Sequence, residues 1–385
     1  MHIDQELTVR AEKVAHGGFV IARCDGKVLF VRKALPGELI KVRVTRKVPG
    51  GRAWIAEAID VLEANPNRVT PPCEYFEKLD CGGCDFQHAA IDYQLELKLS
   101  VLVEQMQRLA NLSVTNLVKT HQLEPKDFYW RTKLRLAPTD KGELGYRRFR
   151  SHQIIPIHKC LIAVNEINEL LKNNLGKTFA NEQLLIAEHG QAEFISINST
   201  AKTTTNILGH DFVHARAGFW QSHLQAAEKL SSLLLTKVKS QNNTLDLYAG
   251  VGIFGRLLLE NKKTQNLTSV ELDGQASACA KENLTKFPQA QILTQRAEEF
   301  LSRTNDDFDL VVLDPPRKGL GIEASRHLAK VAKQQIIYLA CDPASLARDT
   351  KILTENGWVL SQLDLIDAFP QTHHLETMAV FSRVN

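Results

Sequence analysis

Residues 245–256 read LDLYAGVGIFGR, and this stretch decides the fold that we expect for the C-terminal part of the chain. An apolar run leads into Gly250, Gly252 and Gly255, which satisfy the G-x-G-x-x-G pattern of a strand that turns into a helix. Glu271 ends the next apolar run, where an acidic side chain can accept hydrogen bonds from ribose hydroxyls. The pattern alone fits a nicotinamide-binding fold nearly as well as a methyl-donor site.

Segments of strand and helix character alternate from about residue 219 to the C terminus. The alternation predicts an α/β fold, with an open parallel sheet, helices on both faces and an antiparallel end formed by the last two strands. Asp314, in DLVVLDPPRKG, and Cys341, in IIYLACDPASLARD, each follow a strand and therefore lie at the edge where such sheets bind ligands. These features favour S-adenosylmethionine. It carries no phosphate, so the glycine loop would serve for close backbone approach.

Cys341 indicates a particular chemistry beside a methyl donor. The C5 carbon of a pyrimidine is a poor nucleophile, but a thiolate that adds to C6 makes C5 able to attack a methyl sulfonium. A base must then remove the C5 proton. We expect Cys341 to be the nucleophile, its thiolate favoured by the N terminus of the following helix, and Glu376, in HHLETMAVF, to be the base. The alternative is an inert buried cysteine and a surface carboxylate.

The chain before residue 219 divides into two further units. Five short runs rich in β-branched residues, separated by glycine and proline turns, predict a small closed or OB-like barrel over residues 1–62. Residues 63–218 would form a central domain, with a helix from Ala89 to about Leu109 and a mixed or antiparallel sheet over 128–200. Residues 219–385 would form the α/β domain.

Composition and charge narrow the class of protein. A chain of 385 residues, 44% hydrophobic and 24% charged, is typical of a globular protein with two or three domains. No apolar stretch approaches the about 20 residues of a membrane helix, and the N terminus is unlike a secretory signal, so we expect a cytoplasmic protein. The net charge is only +3, but two stretches are strongly basic. The stretch from Lys27 to Arg52 contains eight basic residues and one acidic residue, and the stretch from Lys126 to His152 contains eight basic residues and three acidic residues. These stretches indicate a polyanionic partner or two solvated faces.

Aromatic residues accompany the second basic stretch. Arg131, Lys133 and Arg135 alternate along a predicted strand and would share one face. The aromatic residues that interleave with this charge are Tyr129, Trp130, Tyr146 and Phe149. Such a mixture is typical of platforms that stack single-stranded RNA, although the same rings would also serve as core.

Four of the seven cysteines form a second constellation: Cys73, the CGGC pair Cys81 and Cys84, and the distant Cys160. An odd number of cysteines without a secretory signal argues against a disulfide framework. Four thiolates suit either Zn²⁺ or an iron–sulfur cluster, and the spacing by itself slightly favours zinc. The alternative is a set of unligated cysteines.

The motifs LDLYAGVGIFG, DPPRKGL, YLACDPASLARD and HHLETM together resemble, in order and spacing, the S-adenosylmethionine-dependent RNA 5-methyluridine (uracil-C5) methyltransferases. The resemblance covers nearly the whole chain, and the N-terminal module is similar to the TRAM RNA-binding domain of the members that act on 23S ribosomal RNA. It implies a class I (Rossmann-like) methyltransferase domain preceded by a TRAM barrel and a metal-cluster domain.

The resemblance also implies roles for individual residues. Cys341 would be the nucleophile and Glu376 the proton acceptor. The methyl donor would contact Gln221, Tyr248, Glu271 and Asp314 beside Gly250 and Gly252, and a [4Fe–4S] cluster, rather than zinc, would bind Cys73, Cys81, Cys84 and Cys160. This chain departs from the family at His223, where Asn is usual, at Ile253, where many members have a polar cofactor contact, and in having seven residues rather than five before CGGC.

The implied reaction is C5 methylation of a uridine, in 23S ribosomal RNA first and in transfer RNA second. It requires no membrane and no obligate protein partner, and we expect a monomer. Two other hypotheses stay open: an RNA-binding assembly factor without turnover, which has no chemical reason to keep Cys341 and Glu376, and a nicotinamide oxidoreductase, which has no use for Cys341. A radical S-adenosylmethionine enzyme is disfavoured because its C-x-x-x-C-x-x-C pattern is absent from the sequence.

Overall fold

The N-terminal segment closes into a five-stranded barrel in the computed structural model of this protein, which describes residues 1–383. Its strands are β1 (Glu6–Ala15), β2 (Phe19–Cys24), β3 (Lys27–Arg32), β4 (Leu39–Lys47) and β5 (Trp54–Glu63). The order around the barrel is β1-β2-β3-β5-β4, and β1 closes it by pairing with β4. Alternate residues such as Val9, Ala11, Ile40 and Val42 fill the interior. The predicted small barrel is confirmed.

The central segment builds an antiparallel sheet. Its elements are α1 (Glu74–Glu77), α2 (Ile91–Gln105), which continues as a π-helical turn (Met106–Ala110), β6 (Val118–Gln122), β7 (Lys133–Pro138), β8 (Leu144–Arg147), β9 (Ile154–Pro156), α3 (Asn165–Asn173), β10 (Gln183–Glu188) and β11 (Gln191–Ser196). The sheet order is β11-β10-β7-β8-β9. A separate hairpin follows, formed by β12 (Lys202–Ile207) and β13 (His210–Ala215). The antiparallel alternative of the prediction is therefore the observed one.

The C-terminal part is the predicted doubly wound α/β unit. Its elements are α4 (Ala226–Lys237), β14 (Gln241–Leu247), α5 (Ile253–Glu260), β15 (Thr264–Glu271), α6 (Gly274–Asn283), β16 (Ala290–Thr294), α7 (Ala297–Arg303), β17 (Phe308–Leu313), α8 (Ile322–Val331), β18 (Ala332–Ala340), α9 (Pro343–Glu355), β19 (Trp358–Asp367) and β20 (Glu376–Arg383). Strands β14 to β18 pair in parallel, and β20 lies antiparallel between β18 and β19. Apolar layers cover both faces of this sheet.

The central segment also contributes to the C-terminal sheet. Strand β6 pairs in parallel with β19 and becomes the eighth strand, in the order β16-β15-β14-β17-β18-β20-β19-β6. Leu102 of α2 and Met106 of the π-helical turn pack in the same apolar layer as Leu346 of α9. The division of the chain into domains at residues 62 and 218 stays a prediction. Strand β6 crosses that division, because it belongs to the central segment in sequence and to the C-terminal sheet in the structure. Among residues 1–383, no helix has the length and apolar character that a membrane crossing requires.

Candidate active site

The glycine loop lies where β14 turns into α5. Tyr248, Gly250 and Gly252 all have positive φ angles, 56°, 56° and 81°, so the backbone folds back at the carboxyl end of the sheet. Gly255 leaves no room for a side chain, because a Cβ there would lie 2.7 Å from Leu267 Cδ2. The third glycine of the motif therefore permits close packing of helix against strand.

Glu271, the last residue of β15, holds this loop in place. Its Oε2 accepts a hydrogen bond from the Gly250 amide at 2.8 Å, and its Oε1 accepts one from the Asp273 amide at 2.6 Å. A cleft of about 590 Å³ opens beside it, with Tyr248 and Arg296 among its lining residues. This volume lies in the range of small-molecule sites. Asp273 and Arg296 also line the cleft and were not predicted, although each lies just beyond the end of a strand.

The segment between β13 and α4 contains Gln221 and His223. The His223 ring is buried and stacks on Trp130, with 5.6 Å between ring centroids, and its Nδ1 accepts a hydrogen bond from the Gln225 amide at 3.1 Å. Burial lowers the pKa of His223 to about 4, so this departure from the family places a neutral ring in the core. Ile253 packs in an apolar group with α4 and the hairpin. Gln221 is half-buried and is not among the described residues lining the 590 Å³ cleft, so its contact with the methyl donor stays a prediction.

Three predicted residues meet at the ends of neighbouring strands, and we call them the catalytic rim: Asp314 after β17, Cys341 after β18 and Glu376 at the start of β20. Pairing of Ala340 with Thr377 brings the end of β18 beside the start of β20, so Cys341 and Glu376 occupy adjacent positions. Cys341 is half-buried, whereas Glu376 is only 4% exposed. Within residues 1–383 the buried Oε1 of Glu376 has no hydrogen-bond partner.

The charges at the catalytic rim oppose one another. Burial raises the pKa of Asp314 to about 6, and burial together with Asp314 raises the pKa of Glu376 well above its ordinary value. Burial, then Glu376 and Asp314, raise the pKa of the Cys341 thiol to about 11, although Arg317 acts in the opposite direction. Two carboxyl groups and a thiol that face one another cannot all be anionic, so the free protein retains protons here.

The prediction that the N terminus of the following helix favours the Cys341 thiolate stays a prediction. Helix α9 begins after Asp342, whose side chain accepts a hydrogen bond from the Ser345 amide at 2.8 Å. The helix is therefore oriented as predicted. The thiol nevertheless has a raised pKa, because burial and the neighbouring carboxyl groups of Glu376 and Asp314 disfavour its anion.

A buried carboxylate positions the DPPRKGL loop that carries Asp314. Asp349 of α9 accepts hydrogen bonds from the Leu320 amide at 2.7 Å, the Gly321 amide at 3.1 Å and the Tyr338 hydroxyl at 2.6 Å. Three donors to one buried carboxylate fix the loop against α9 and β18. Nothing in the spacing of the sequence pointed to Asp349, since its partners are backbone amides of another loop.

The turn between β1 and β2 of the barrel, which we call the barrel turn (residues 16–18), reaches the catalytic rim. His16 Nε2 lies 2.9 Å from Asp342 Oδ2, directly beside Cys341. Burial alone would raise the pKa of Asp342, but hydrogen bonds from His16 and the Ser345 amide lower it to about 2. A Cβ at Gly18 would lie 3.1 Å from His373 Cβ and 3.2 Å from Asp85 Cβ, so the turn packs closely there.

The four predicted cysteine ligands, Cys73, Cys81, Cys84 and Cys160, line one small cavity of about 20 Å³, which we call the cysteine cavity. The chain is tightly folded around it. The Cys160 amide donates to Asn168 Oδ1 at 2.8 Å, and a Cβ at Gly82 would lie 3.0 Å from the Arg147 carbonyl oxygen. Tertiary structure therefore brings together thiols that are distant in sequence.

Burial dominates the electrostatics of the cysteine cavity. It raises the pKa of Cys81 to about 12 and raises those of Cys84 and Cys160, and the neighbouring thiols add to each shift. In the part of the chain that the structure describes, no group of three or more His, Cys, Asp or Glu side chains is arranged to hold a metal ion. The structure thus places the four cysteines around one cavity, and the identity of the metal or cluster that they would bind stays a prediction.

The predicted RNA-stacking strand is partly enclosed by the protein. Trp130 is fully buried, and Lys133 Nζ donates to the Arg216 carbonyl oxygen at 3.0 Å. Arg131 donates to the Lys133 carbonyl oxygen at 3.0 Å, and Arg135 pairs with Glu182. Trp130 therefore belongs to the core, whereas Arg135 keeps 63% of its side chain exposed, and contact of the arginines with RNA stays a prediction.

Basic residues do surround a second cleft, of about 510 Å³, on the segment 147–152 beside the barrel. Phe149 lies in it, with the Arg32 guanidinium 3.4 Å from the ring centroid. The Arg150 guanidinium lies 4.9 Å from the Phe19 ring of β2 and 5.3 Å from the Phe149 ring. Of the predicted stacking rings, Phe149 is thus the one that lies among arginines at a cleft.

Comparison with known proteins agrees with this architecture. Residues 3–49 match the family described as TRAM domain, and residues 212–384 match the family described as tRNA (Uracil-5-)-methyltransferase. Among curated relatives, an RNA methyltransferase of Streptomyces avermitilis is 34% identical, over 98% of both chains. The 23S rRNA (uracil(1939)-C(5))-methyltransferase RlmD of Shewanella amazonensis is 30% identical, over 100% of this chain and 97% of that one.

Among solved structures, the Pyrococcus abyssi tRNA (uracil-54, C5)-methyltransferase in complex with S-adenosyl-L-homocysteine is similar in fold. Its TM-score is 0.72 at 20% sequence identity, over 97% of this chain and 100% of that one. The glycine loop, the doubly wound sheet and the catalytic rim define a class I S-adenosylmethionine-dependent methyltransferase. The similarity to the curated relatives covers the whole chain. This protein belongs to the RNA uracil-C5 methyltransferase family and carries an N-terminal TRAM domain.

Proposed function

We propose that this protein methylates C5 of a uridine in 23S ribosomal RNA, with Cys341 as nucleophile and Glu376 as base. The observation that carries the proposal is the pairing of β18 with β20, which sets the thiol beside a buried carboxyl oxygen that lacks a hydrogen-bond partner in residues 1–383. The relative named for 23S rRNA supports the choice of RNA.

The chemistry requires each of these side chains in turn. The Cys341 sulfur adds to C6 of uracil, and the electron pair of the C5–C6 double bond becomes available at C5. C5 takes up the electrophilic methyl group that S-adenosylmethionine would supply, and the bond between that methyl group and the sulfonium sulfur breaks, with S-adenosylhomocysteine as the leaving group. Glu376 then removes the C5 proton, the C5–C6 double bond reforms and the thiolate leaves. Because its pKa is raised, the Glu376 carboxylate binds a proton more strongly than an ordinary carboxylate does, and it must be ionised at the moment when it takes up the C5 proton.

The residues that would hold the methyl donor fit a nucleoside. The 590 Å³ cleft next to the glycine loop contains the Glu271 carboxylate, which suits ribose hydroxyls, and the Tyr248 side chain. Asp314 lies between this cleft and Cys341 in the order of the strands, which suits a role at the reacting methyl group. Gln221 would complete the contacts from the loop before α4.

For the uracil to reach Cys341 it must leave its stack. Flipping costs a few kcal/mol, and least where the nucleotide lies in a loop. The arginines at the cleft of segment 147–152 would hold the RNA backbone, and Phe149 offers a ring for stacking. We expect Arg150→Gln to weaken RNA binding and to reduce by about 1 the slope of log affinity against log salt concentration. The matched control is Arg135→Gln, which should change neither quantity because Arg135 already pairs with Glu182.

We further propose a [4Fe–4S] cluster on Cys73, Cys81, Cys84 and Cys160. The four thiols share one cavity, and the choice of a cluster over zinc rests on the resemblance of the CGGC motif to family members that carry one. The cluster would cross-link α1, the CGGC turn and the loop before α3. Iron and acid-labile sulfide in protein purified without oxygen test this directly, and zinc in place of both would overturn it.

The reaction itself is tested by tritium release from RNA labelled as 5-[³H]uridine. Unmodified ribosomal and transfer RNA fractions are assayed separately, with and without S-adenosylmethionine. We expect release from the ribosomal fraction that depends on the methyl donor. Release from transfer RNA alone would favour the second substrate class, the one for which the Pyrococcus abyssi relative is named. Release from neither fraction would favour an RNA-binding protein without turnover.

A further inference from the structure

One side chain in the cysteine cavity has a polar atom that the proposed reaction does not use. Tyr146 lies on β8 and lines this cavity. Its hydroxyl oxygen is buried and has no hydrogen-bond partner in residues 1–383. A buried phenol needs an acceptor, because losing water without a replacement hydrogen bond is unfavourable.

The position of the ring points to where that acceptor lies. A Cβ at Gly83 would lie 3.6 Å from Cys81 Sγ and 3.7 Å from Tyr146 Cε2, so the thiol and the ring border the same small space. Tyr146 pairs with Ile155 of β9, and its neighbours in β8 pair with β7. The sheet thus fixes the backbone that carries the ring.

A second tyrosine in the same cavity provides an internal comparison. Tyr75 also lines the cysteine cavity, but its hydroxyl lies 2.6 Å from His158 Nδ1. The two tyrosines differ in the hydrogen bonding of their hydroxyl groups. The Tyr75 hydroxyl has its partner within the protein, whereas the Tyr146 hydroxyl requires one from the content of the cavity.

We infer that the Tyr146 hydroxyl donates a hydrogen bond to a sulfur atom of the iron–sulfur cluster in the cysteine cavity. The inference rests on the proposed cluster and deepens it. A hydrogen bond to a cluster sulfur favours the reduced state, which carries more negative charge, and so raises the reduction potential. Tyr146 is in this sense a residue that tunes the cluster and has no part in methyl transfer.

The test compares Tyr146→Phe with Tyr75→Phe in the full-length protein purified without oxygen. We expect both variants to contain as much iron and acid-labile sulfide as the wild type. Only Tyr146→Phe is expected to shift the midpoint potential of the cluster to a more negative value. The expected shift is about 59 mV for a one-electron couple, which corresponds to an about tenfold change in the ratio of oxidised to reduced cluster at a given potential. An unchanged midpoint in Tyr146→Phe, or an equal shift in Tyr75→Phe, would overturn the inference and leave the cluster standing.

A second measurement does not depend on the stability of the variant. The hydrogen of the Tyr146 hydroxyl exchanges with solvent, so the Fe–S stretching bands of the wild-type protein should shift in D₂O and should shift equally in Tyr75→Phe. Bands that stay in place would contradict the hydrogen bond. Wild-type protein that contains zinc, or no metal and no sulfide, would overturn the proposed cluster and the inference together.

Discussion

The catalytic rim and the cysteine cavity both contain enclosed thiols, and the comparison between them separates two uses of cysteine. Burial raises the pKa of Cys341 to about 11 and that of Cys81 to about 12, so the pKa does not distinguish them. Their neighbours do. Cys341 is half-buried at the end of a strand beside two carboxyl groups, whereas Cys81 faces other thiols in a cavity of about 20 Å³. A nucleophilic cysteine must be accessible to its substrate, whereas a metal-binding cysteine needs other ligands close to it around the same metal site.

The largest effect is expected from removing the rim thiol. Cys341→Ala should lower methyl transfer by at least about 10³-fold, because no other group adds to C6. Its iron content should equal that of the wild type, since the two sites do not share ligands. Tritium release and iron analysis on the same preparation measure both. Cys24→Ala, in β2, is the matched control and should change neither quantity. Turnover above a few per cent of wild type would contradict the covalent mechanism.

A somewhat smaller effect is expected from the base. Glu376→Gln keeps the shape of the side chain but cannot accept the C5 proton, so turnover should fall by about 10²–10⁴-fold. The protein–RNA adduct should accumulate, visible as a band that survives denaturing electrophoresis. The exposed Glu323→Gln, on α8, is the control and should form no such band. Normal turnover in Glu376→Gln would show that another group removes the proton.

The pH dependence of thiol alkylation sharpens the comparison further. A pKa of about 11 in place of the ordinary 9.0 leaves about 100-fold less thiolate on Cys341 at about pH 8. Because the pKa is raised, the alkylation rate of the free protein should keep rising with pH until about 11. Mass spectrometry of the Cys341 peptide after brief iodoacetamide treatment measures this rate. An inflection below about pH 8 would mean that the N terminus of α9 outweighs burial after all.

The smallest effect is expected where the two regions meet. The barrel turn contacts Asp342, beside Cys341, through His16 and packs against Asp85, beside Cys84, at Gly18. His16→Ala should lower turnover by a few-fold at most, because a partly exposed pair contributes about 0.2–1 kcal/mol. His16→Gln, which can still donate, should restore most of it. A loss as large as that of Glu376→Gln would mean that the barrel takes part in catalysis directly.

The elements at the catalytic rim were predictable because the chemistry and the strand pattern agree. Asp314 and Cys341 each follow a strand in the sequence, and parallel strands place their carboxyl ends at one edge. Strand β6 was not predicted, because a short polar strand at the edge of a sheet carries little apolar periodicity. Asp349 was not predicted for a related reason, since its hydrogen bonds join it to the backbone of a distant loop.

The RNA-facing residues show the limit of reading charge along a strand. Alternation correctly groups Arg131, Lys133 and Arg135, but it does not tell which face another segment will cover. In the folded chain Lys133 and Arg135 find partners within the protein. Tyr146, expected at an RNA surface, lines the cysteine cavity instead. Burial of a side chain depends on what packs against it, and that information lies elsewhere in the chain.

The sequence by itself indicated the reaction class, because the motifs LDLYAGVGIFG, DPPRKGL, YLACDPASLARD and HHLETM together resemble one enzyme family. It also determined the barrel and the doubly wound sheet through local periodicity. Only the tertiary structure decided which groups lie near one another: the carboxyl groups that raise the pKa of Cys341, the four cysteines that share a cavity, and the barrel histidine that contacts Asp342. The reason is physical. Periodicity reports local backbone preference, whereas pKa values, cavities and ion pairs depend on distances across the fold.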